Sequence, residues 1–318
     1  MSPLLSWLAS PSPDAAVEIA ADGVAVAAVG GRLRDAVVQS YALESLAPGA
    51  VAASLTENNV TDRAVVVQAL RTALERAELR PRRVALVIPD IAARVSLVRF
   101  DRVPERREDL DQLVRWQLRK AAPFPIDDAI VSYSPSLQLG DGGGEFVVVM
   151  TRREIVREYE GVCEELGLHP GLVDLATLSV VHLFASIDPP AGDWLVVHVR
   201  PDYLAVAIMR GDHLIFFRNR PEGDGESLNE VVHQTAMYYQ DRLGGKGFQR
   251  VLLGGTGATA LEVARHNMEH RLGLSVEAID ATRVASLTNR ISASPDLAAR
   301  LAPVVGVLLR ARREAVAA

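Results

Sequence analysis

The chain has 318 residues, enough for about two domains, and its 49% apolar and 23% charged residues are the balance of a soluble protein with a full core. A net charge of −6, from 40 acidic against 34 basic residues, argues against a nucleic-acid binder, which normally carries a basic excess. The single cysteine, Cys163, excludes an internal disulfide and suits a reducing, cytoplasmic compartment.

In chain order, "MSPLLSWLASPSPDAA" opens with a short apolar run, Leu4 to Ala9, and no basic flank. It is not a secretory signal, and no stretch of the chain approaches the ~20 apolar residues that span a bilayer. Residues 1–13 are expected to be a flexible tail, with a docking segment built on Leu4, Leu5, Trp7 and Leu8 as the alternative. Val17–Ala20 and Val24–Val29 read as strands joined at Asp22-Gly23, a strong hairpin signal, and Ala36–Leu43 as a third strand. Thr61, with Asp62 behind it, is the expected N-cap of a helix whose buried stripe is Val66, Leu70, Ala73, Leu74 and Ala77. Val84–Ile88 is apolar throughout, as in a strand buried on both faces.

From Ile91 to Val173 the pattern reads strand–helix–strand–strand–helix–strand, a compact α+β unit. Its first helix, "ERREDLDQLVRWQLRKA", places Leu110, Leu113, Val114, Gln117 and Leu118 near one face. The second helix is expected to be capped by Thr151 and ended by Gly167. After Gly192 a three-strand meander returns, with turns at Arg200-Pro201-Asp202 and Arg210-Gly211-Asp212. Helices at Ser227–Leu243 and Ala258–Leu272 then alternate with strands, and a closing helix spans Asp296–Arg313. The meander followed by helix and strand is therefore repeated.

Two such halves, with an α+β insertion in the first, resemble the actin-like (ribonuclease H-like) ATPase fold. "LVRWQLRKAAPFPIDDAIVSY", Leu113 to Tyr133, resembles the helix–Pro-Phe-Pro–acidic–strand signature of PilM-like type IV pilus assembly proteins, which related secretion proteins share in their cytoplasmic parts. "CEELGLHPGLVDLATLSVVHLF", "VLLGGTGATALEVARHNMEHRLGLSVE" and "LAPVVGVLLRAR" resemble further stretches of that family. The resemblance implies an α/β fold with a first half over residues 14–190, an inserted subdomain over about 91–173, and a second half over 191–318 whose last helix packs back on the first. It also implies a cytoplasmic scaffold held at the inner membrane by the cytoplasmic N-terminal tail of a PilN-like protein. The assembly motor ATPase and a second copy of the chain are further partners open to it.

Actin-like ATPases hold phosphates between two Asp-x-Gly hairpin turns. In the first turn here, Glu18 stands for the aspartate, Ala20 for the glycine and Ala25 for the usual lysine, beside Asp22 and Gly23. In the second, His198 replaces the aspartate and Arg200 the glycine, and Pro201 has no N–H to offer. A carboxylate about 4 Å from a phosphate charge costs ~4 kcal/mol at an effective dielectric near 20, so Asp22 and Asp202 worsen the fit. Gly254, Gly255, Thr256 and Gly257 match the adenosine-side loop. The expectation is a pseudo-ATPase with no cofactor, with ATP binding and hydrolysis as the alternative.

A dinucleotide enzyme is a second alternative, because Gly255-x-Gly257-x-x-Ala260 follows a strand, opens a helix and precedes Asp280. A tight strand-to-helix turn explains the same glycines without a ligand. His266 and His270 share a helix face but lack a third ligand, so a solvated face is expected rather than a metal site. Cys163 is expected to pack as a small apolar residue. Partner capture is assigned to Arg115, Trp116, Arg119 and Phe124, with Lys120 in the rim and Pro123 and Pro125 holding Phe124 extended; a rigid splice from helix to strand is the alternative.

Overall fold

The computed structural model describes residues 12–32, 35–138, 142–185, 192–225, 227–287 and 294–317. The tail or docking segment expected before Pro11 lies outside the described residues. Apolar residues on both faces bury β1 (Ala15–Ala20) and β2 (Gly23–Gly30) along their whole length. They pair antiparallel with Ala20 opposite Gly23, so Ala21 and Asp22 make the turn. The meander continues into β3 (Val37–Ser45), then α1 (Arg63–Arg76) and β4 (Arg83–Ile88). Asp62, not Thr61, caps α1: its carboxylate accepts from the Val65 N–H at 3.1 Å, while the Thr61 hydroxyl donates to the Gly49 carbonyl.

A 3-10 turn at Asp90–Ala92 leads into the insertion: β5 (Arg94–Phe100), α2 (Arg107–Leu118), β6 (Ala129–Gln138), β7 (Gly144–Arg152) and α3 (Arg153–Glu164). β5, β7 and β6 form a three-stranded antiparallel sheet of their own. Val114 and Leu118 bury α2 against that sheet, over Val98, Phe100, Phe146, Val148 and Met150. Gln117 is exposed rather than on the buried face. The Thr151 hydroxyl donates to the Ala92 carbonyl at 2.8 Å instead of capping α3, whose N-cap is Arg152 without a side-chain bond. Gly167, at φ +73°, follows α3 as a left-handed stop.

The unit expected over residues 91–173 is shorter in the structure. β8 (His169–Leu175) pairs parallel to β4, and α3 buries Ile155, Tyr159, Val162 and Cys163 against α1 and the first sheet. Their apolar faces find the larger core there. Burial among these residues pushes the Cys163 thiol up to about 12, so it is an inert packing group.

After α4 (Ala176–Ala185) the second half repeats the pattern with β9 (Asp193–Val199), β10 (Tyr203–Arg210), β11 (His213–Pro221), α5 (Leu228–Leu243), β12 (Arg250–Gly255), α6 (Ala258–Leu272) and β13 (Val276–Ala278). Ser227 and Glu230 close a capping box on α5. β14 (Ser286–Leu287) returns to the first sheet, and α7 (Pro295–Ala317) closes the fold. The sheet orders are β14-β3-β2-β1-β4-β8 and β11-β10-β9-β12-β13, so both halves share an antiparallel meander followed by two parallel strands. β12 pairs parallel with β9 and β13, but β9, β10 and β11 form an antiparallel meander, whereas the dinucleotide-binding alternative needs a mostly parallel, doubly wound sheet. Asp280 instead accepts from the Thr282 N–H and hydroxyl in a 3-10 turn.

α4 and α7 lie in the core between the two halves. Ala16, Ala25, Ala27 and Ala85 of the first sheet and Ala207 of the second face this layer, small enough for the helices to approach. Valines and isoleucines of the same strands, such as Val17, Ile19, Val24 and Val26, point to the outer layer of α1 and α3. Where α7 meets α4, a Cβ on Gly306 would overlap the Ser179 carbonyl oxygen. An alanine inside a helix ordinarily stabilises by ~1 kcal/mol over glycine. Gly306→Ala should reverse that sign and lower stability by about 1–3 kcal/mol. Gly171→Ala, with open space at its Cβ, should stay within about 0.5 kcal/mol of the parent. Urea unfolding of both variants checks the pair; equal effects would remove the close crossing as a constraint.

Candidate functional site

The two turns expected to face phosphates come together at the cleft between the halves. Arg200, at the β9–β10 turn, reaches across it. Its Nη2 lies 3.2 Å from Glu18 Oε1 and 3.2 Å from Asp22 Oδ1, with the guanidinium and Glu18 both buried. Arg300 of α7 stands 3.9 Å from the other oxygen of Asp22. Burial raises the Glu18 pKa against the pull of Arg200. Burial also works against the charge on Arg200, but Glu18 and Asp22 outweigh it and hold the guanidinium above its ordinary range. Pro201 and Asp202 complete the turn, which the Arg200 N–H closes on the Tyr203 carbonyl at 2.8 Å. Ala20 is buried at the end of β1. Gly23 is needed for another reason: a Cβ there would overlap the Glu44 carbonyl of β3.

Beneath this pair runs a second polar chain, assembled from residues far apart in sequence. The Asp90 carboxylate accepts from the Thr177 N–H at 3.0 Å and from its hydroxyl at 2.5 Å. The same hydroxyl oxygen is 2.9 Å from His198 Nδ1. With its proton committed to Asp90, Thr177 accepts from His198, which leaves His198 Nε2 unprotonated. All three residues are buried. Burial pushes Asp90 up to about 6 against the hydrogen bonds of Thr177, and burial with the neighbouring Arg200 pushes His198 down to about 3. The order acid–hydroxyl–imidazole differs from a nucleophilic triad, in which imidazole stands between acid and hydroxyl. His198 Nε2 and Arg200 Nε are buried without a hydrogen-bond partner among the described residues.

The glycine run after β12 has local causes. A Cβ on Gly255, which sits at φ +136°, would overlap the Val199 carbonyl of β9, and one on Gly254 would lie 2.5 Å from Ile279. The Thr256 N–H donates to the Val199 carbonyl at 3.0 Å. Gly257, at φ +89°, is the N-cap of α6 and offers no side-chain bond. Gly254 and Gly255 are thus fixed by close packing of β12 on its neighbours. Further along α6, His266 and His270 are exposed, and no group of three metal-ligating side chains exists among the described residues.

On the inserted subdomain, Trp116 is 60% exposed. Arg119 and Lys120 are exposed beside it, and Arg115 is tied to Asp111 at 3.1 Å. Phe124 leaves this surface and packs against the subdomain core. The expected anchors are therefore split, one in solvent and one in packing.

The concave feature of this region lies on the other side of the inserted sheet. A cavity of about 720 Å³ opens between β6 and β7, β8 and α4, the β10–β11 turn and the end of α7, and none of Arg115, Trp116, Arg119 or Phe124 lines it. Ile130, Val149, Leu172, Leu178 and Val181 give it apolar walls. Consecutive residues of β6 (Ser132 to Ser136) and β8 (Leu172 to Leu175) line it, although successive side chains of a strand alternate between faces. Both strands are sheet edges, so their edges face the space. One end is charged: Asp174 pairs with Arg310 at 2.8 Å, and Arg310 with Glu314 at 2.9 Å. Burial lowers the pKa of His182 beside them. Sequence reasoning missed this site because no single segment carries it.

Comparisons with known proteins bear on this geometry. No curated protein sequence matches the chain. Among solved structures, the chain superposes on the PilM–PilN type IV pilus biogenesis complex with a TM-score of 0.80 and 18% identity, covering 95% of this chain and 99% of that one. It resembles less closely a Bacteroides thetaiotaomicron protein with an actin-like ATPase fold, at TM-score 0.47, 11% identity and 90% and 96% coverage. The ethanolamine utilization protein EutJ of Carboxydothermus hydrogenoformans follows at TM-score 0.49, 11% identity and 94% and 90% coverage. The two halves, each an antiparallel meander followed by two parallel strands, have the actin-like arrangement that the sequence resemblance implied. The family model described as type IV pilus assembly protein PilM matches residues 16–242, and the chain belongs to that family.

Proposed function

We propose that this protein is a cytoplasmic scaffold of a type IV pilus or related secretion machine that captures the cytoplasmic tail of a PilN-like inner-membrane protein and does not turn over ATP. The observation that carries the capture is the cavity at the free edges of β6 and β8. An extended peptide can align with strand edges through its backbone while its apolar side chains enter the walls. No described helix is long and apolar enough to cross a membrane, and a net charge of −6 disfavours anionic lipid. Attachment through a partner's tail meets both conditions. In the complex that this chain resembles, PilM is found with PilN.

The absence of hydrolysis is supported by the cleft. The residues present there do not suit a triphosphate: the space between the hairpin turns holds the Arg200 guanidinium, and Glu18 and Asp22 present carboxylates to it. Releasing Arg200 toward a phosphate would leave Glu18 as a buried, unpaired charge, a loss of about 3–5 kcal/mol. Neutral His198 is buried and brings no metal-binding charge.

Purified protein with Mg²⁺ and ATP should release phosphate no faster than buffer. Turnover that disappears in Thr256→Asp, which places a carboxylate on the glycine loop, would falsify the non-enzymatic reading. For capture, Ser134→Trp fills the cavity from an exposed position of β6. It should weaken binding of the partner's tail peptide at least tenfold, about 1.4 kcal/mol, with an unchanged melt. Trp116→Ala should bind as the parent does. The reverse outcome in calorimetry, capture kept by Ser134→Trp and lost in Trp116→Ala, would move the site to the face of α2.

A further inference from the structure

Several polar contacts at the cleft join one half to the other. Arg200 of the second half meets Glu18 and Asp22 of the first. His198 of the second half closes on Thr177, which holds Asp90 of the first. The Asn219 amide of β11 donates to the Asp90 carbonyl at 2.7 Å. In a nucleotide-operated relative of this architecture a ligand would bridge these turns; here the chain's own guanidinium does so.

The same hairpins reach the cavity at their far end. β10 starts at Tyr203, beside the Arg200 turn, and ends at Arg210. The end of β10, the turn that follows and the start of β11 place Met209, Asp212, His213 and Leu214 on the cavity wall. Eight residues of strand make a stiff arm of roughly 26 Å between clamp and wall. Ser136 of the inserted sheet donates to the Leu214 carbonyl at 3.2 Å, so the wall already touches the opposite side. A rotation that opens the cleft at Arg200 would carry this wall with it.

We propose that Arg200, with Glu18 and Asp22, is a permanent clamp that sets the position of the β10–β11 turn and so the width of the tail-binding cavity. Arg200 is then a positioning residue for partner capture, acting from the opposite end of the hairpin. The inference rests on the reading of the cavity as the tail site. It adds that capture is always enabled, because the bridge between the halves is covalently part of the chain.

The test uses the full chain and a synthetic peptide with the cytoplasmic N-terminal sequence of the PilN-like protein from the same genome. Arg200→Ala strands Glu18, so the informative variant is Glu18→Gln with Arg200→Met, which replaces a buried ion pair by neutral groups of similar size. The double variant should melt cooperatively near the parent. It should bind the peptide about tenfold more weakly and exchange the amide protons of residues 209–214 faster. Unchanged affinity, or unchanged exchange at that turn, overturns the coupling. A double variant that no longer folds overturns it too, because the cluster would then be core rather than clamp. Parent protein that captures no peptide overturns the tail reading and the coupling with it, whereas parent capture with an unaltered double variant sinks the coupling alone.

Discussion

The close crossing of α4 and α7 sets the distance between the two halves, and the cleft and the cavity both follow from it. At Gly306 the helices meet backbone to backbone, against the Ser179 carbonyl. The alanines on the inner faces of the two sheets leave just enough depth for one layer of helix. A wider layer would hold the β1–β2 and β9–β10 turns too far apart for one arginine side chain to span. Interiors are packed to crystal density, so the spacing is not adjustable by small slips. The position of Arg200 against Glu18 is in this sense a consequence of which residues on the strands are small.

The cleft then shows how a charge pair joins the two halves. Each departure from an Asp-x-Gly turn looks like loss when taken alone. Taken together, the acid at Glu18 and the base at Arg200 satisfy one another across the gap. A buried ion pair is weak evidence for stability, since its desolvation cost rivals its Coulomb gain. What it supplies is register: removing either partner leaves a charge that burial does not tolerate, so only one arrangement of the two halves satisfies both. Asp90, held near pH 6 by burial against its Thr177 bonds, adds a second contact that depends on the same closure.

Much of the fold was legible in the sequence because it is written in local periods. The apolar run Val84–Ile88 of β4, the Asp22-Gly23 and Arg210-Gly211-Asp212 turns, and Ser227 before α5 each declare themselves within a few residues. Errors fell where two local signals compete. Thr61 and Asp62 both suit an N-cap, and only the Gly49 carbonyl, reached through tertiary packing, draws Thr61 away. Thr151 is drawn from its helix to Ala92 in the same manner. β8 follows α3 without a break, so sequence order could not assign it to the sheet of β4. The glycines after β12 carried a ligand signal and a packing signal at once, and the packing cause is visible only when Val199 and Ile279 are in place. The chain of Asp90, Thr177 and His198 had no local signal, since its members lie 87 and 21 positions apart.

The two sites also differ in what they ask of the fold. The cleft is charged and buried, with Arg200 paired to Glu18 and Thr177 to Asp90, while His198 Nε2 and Arg200 Nε lack a hydrogen-bond partner among the described residues. The cavity is bordered by two unpaired strand edges and apolar walls, which is the environment that an extended segment needs and a phosphate does not. In the cleft, Arg200 of the chain itself joins the two turns. On the proposed reading, a joint made by Arg200 at one end of the β9–β11 meander and a docking surface at the other belong to one device, because the same strands run between them.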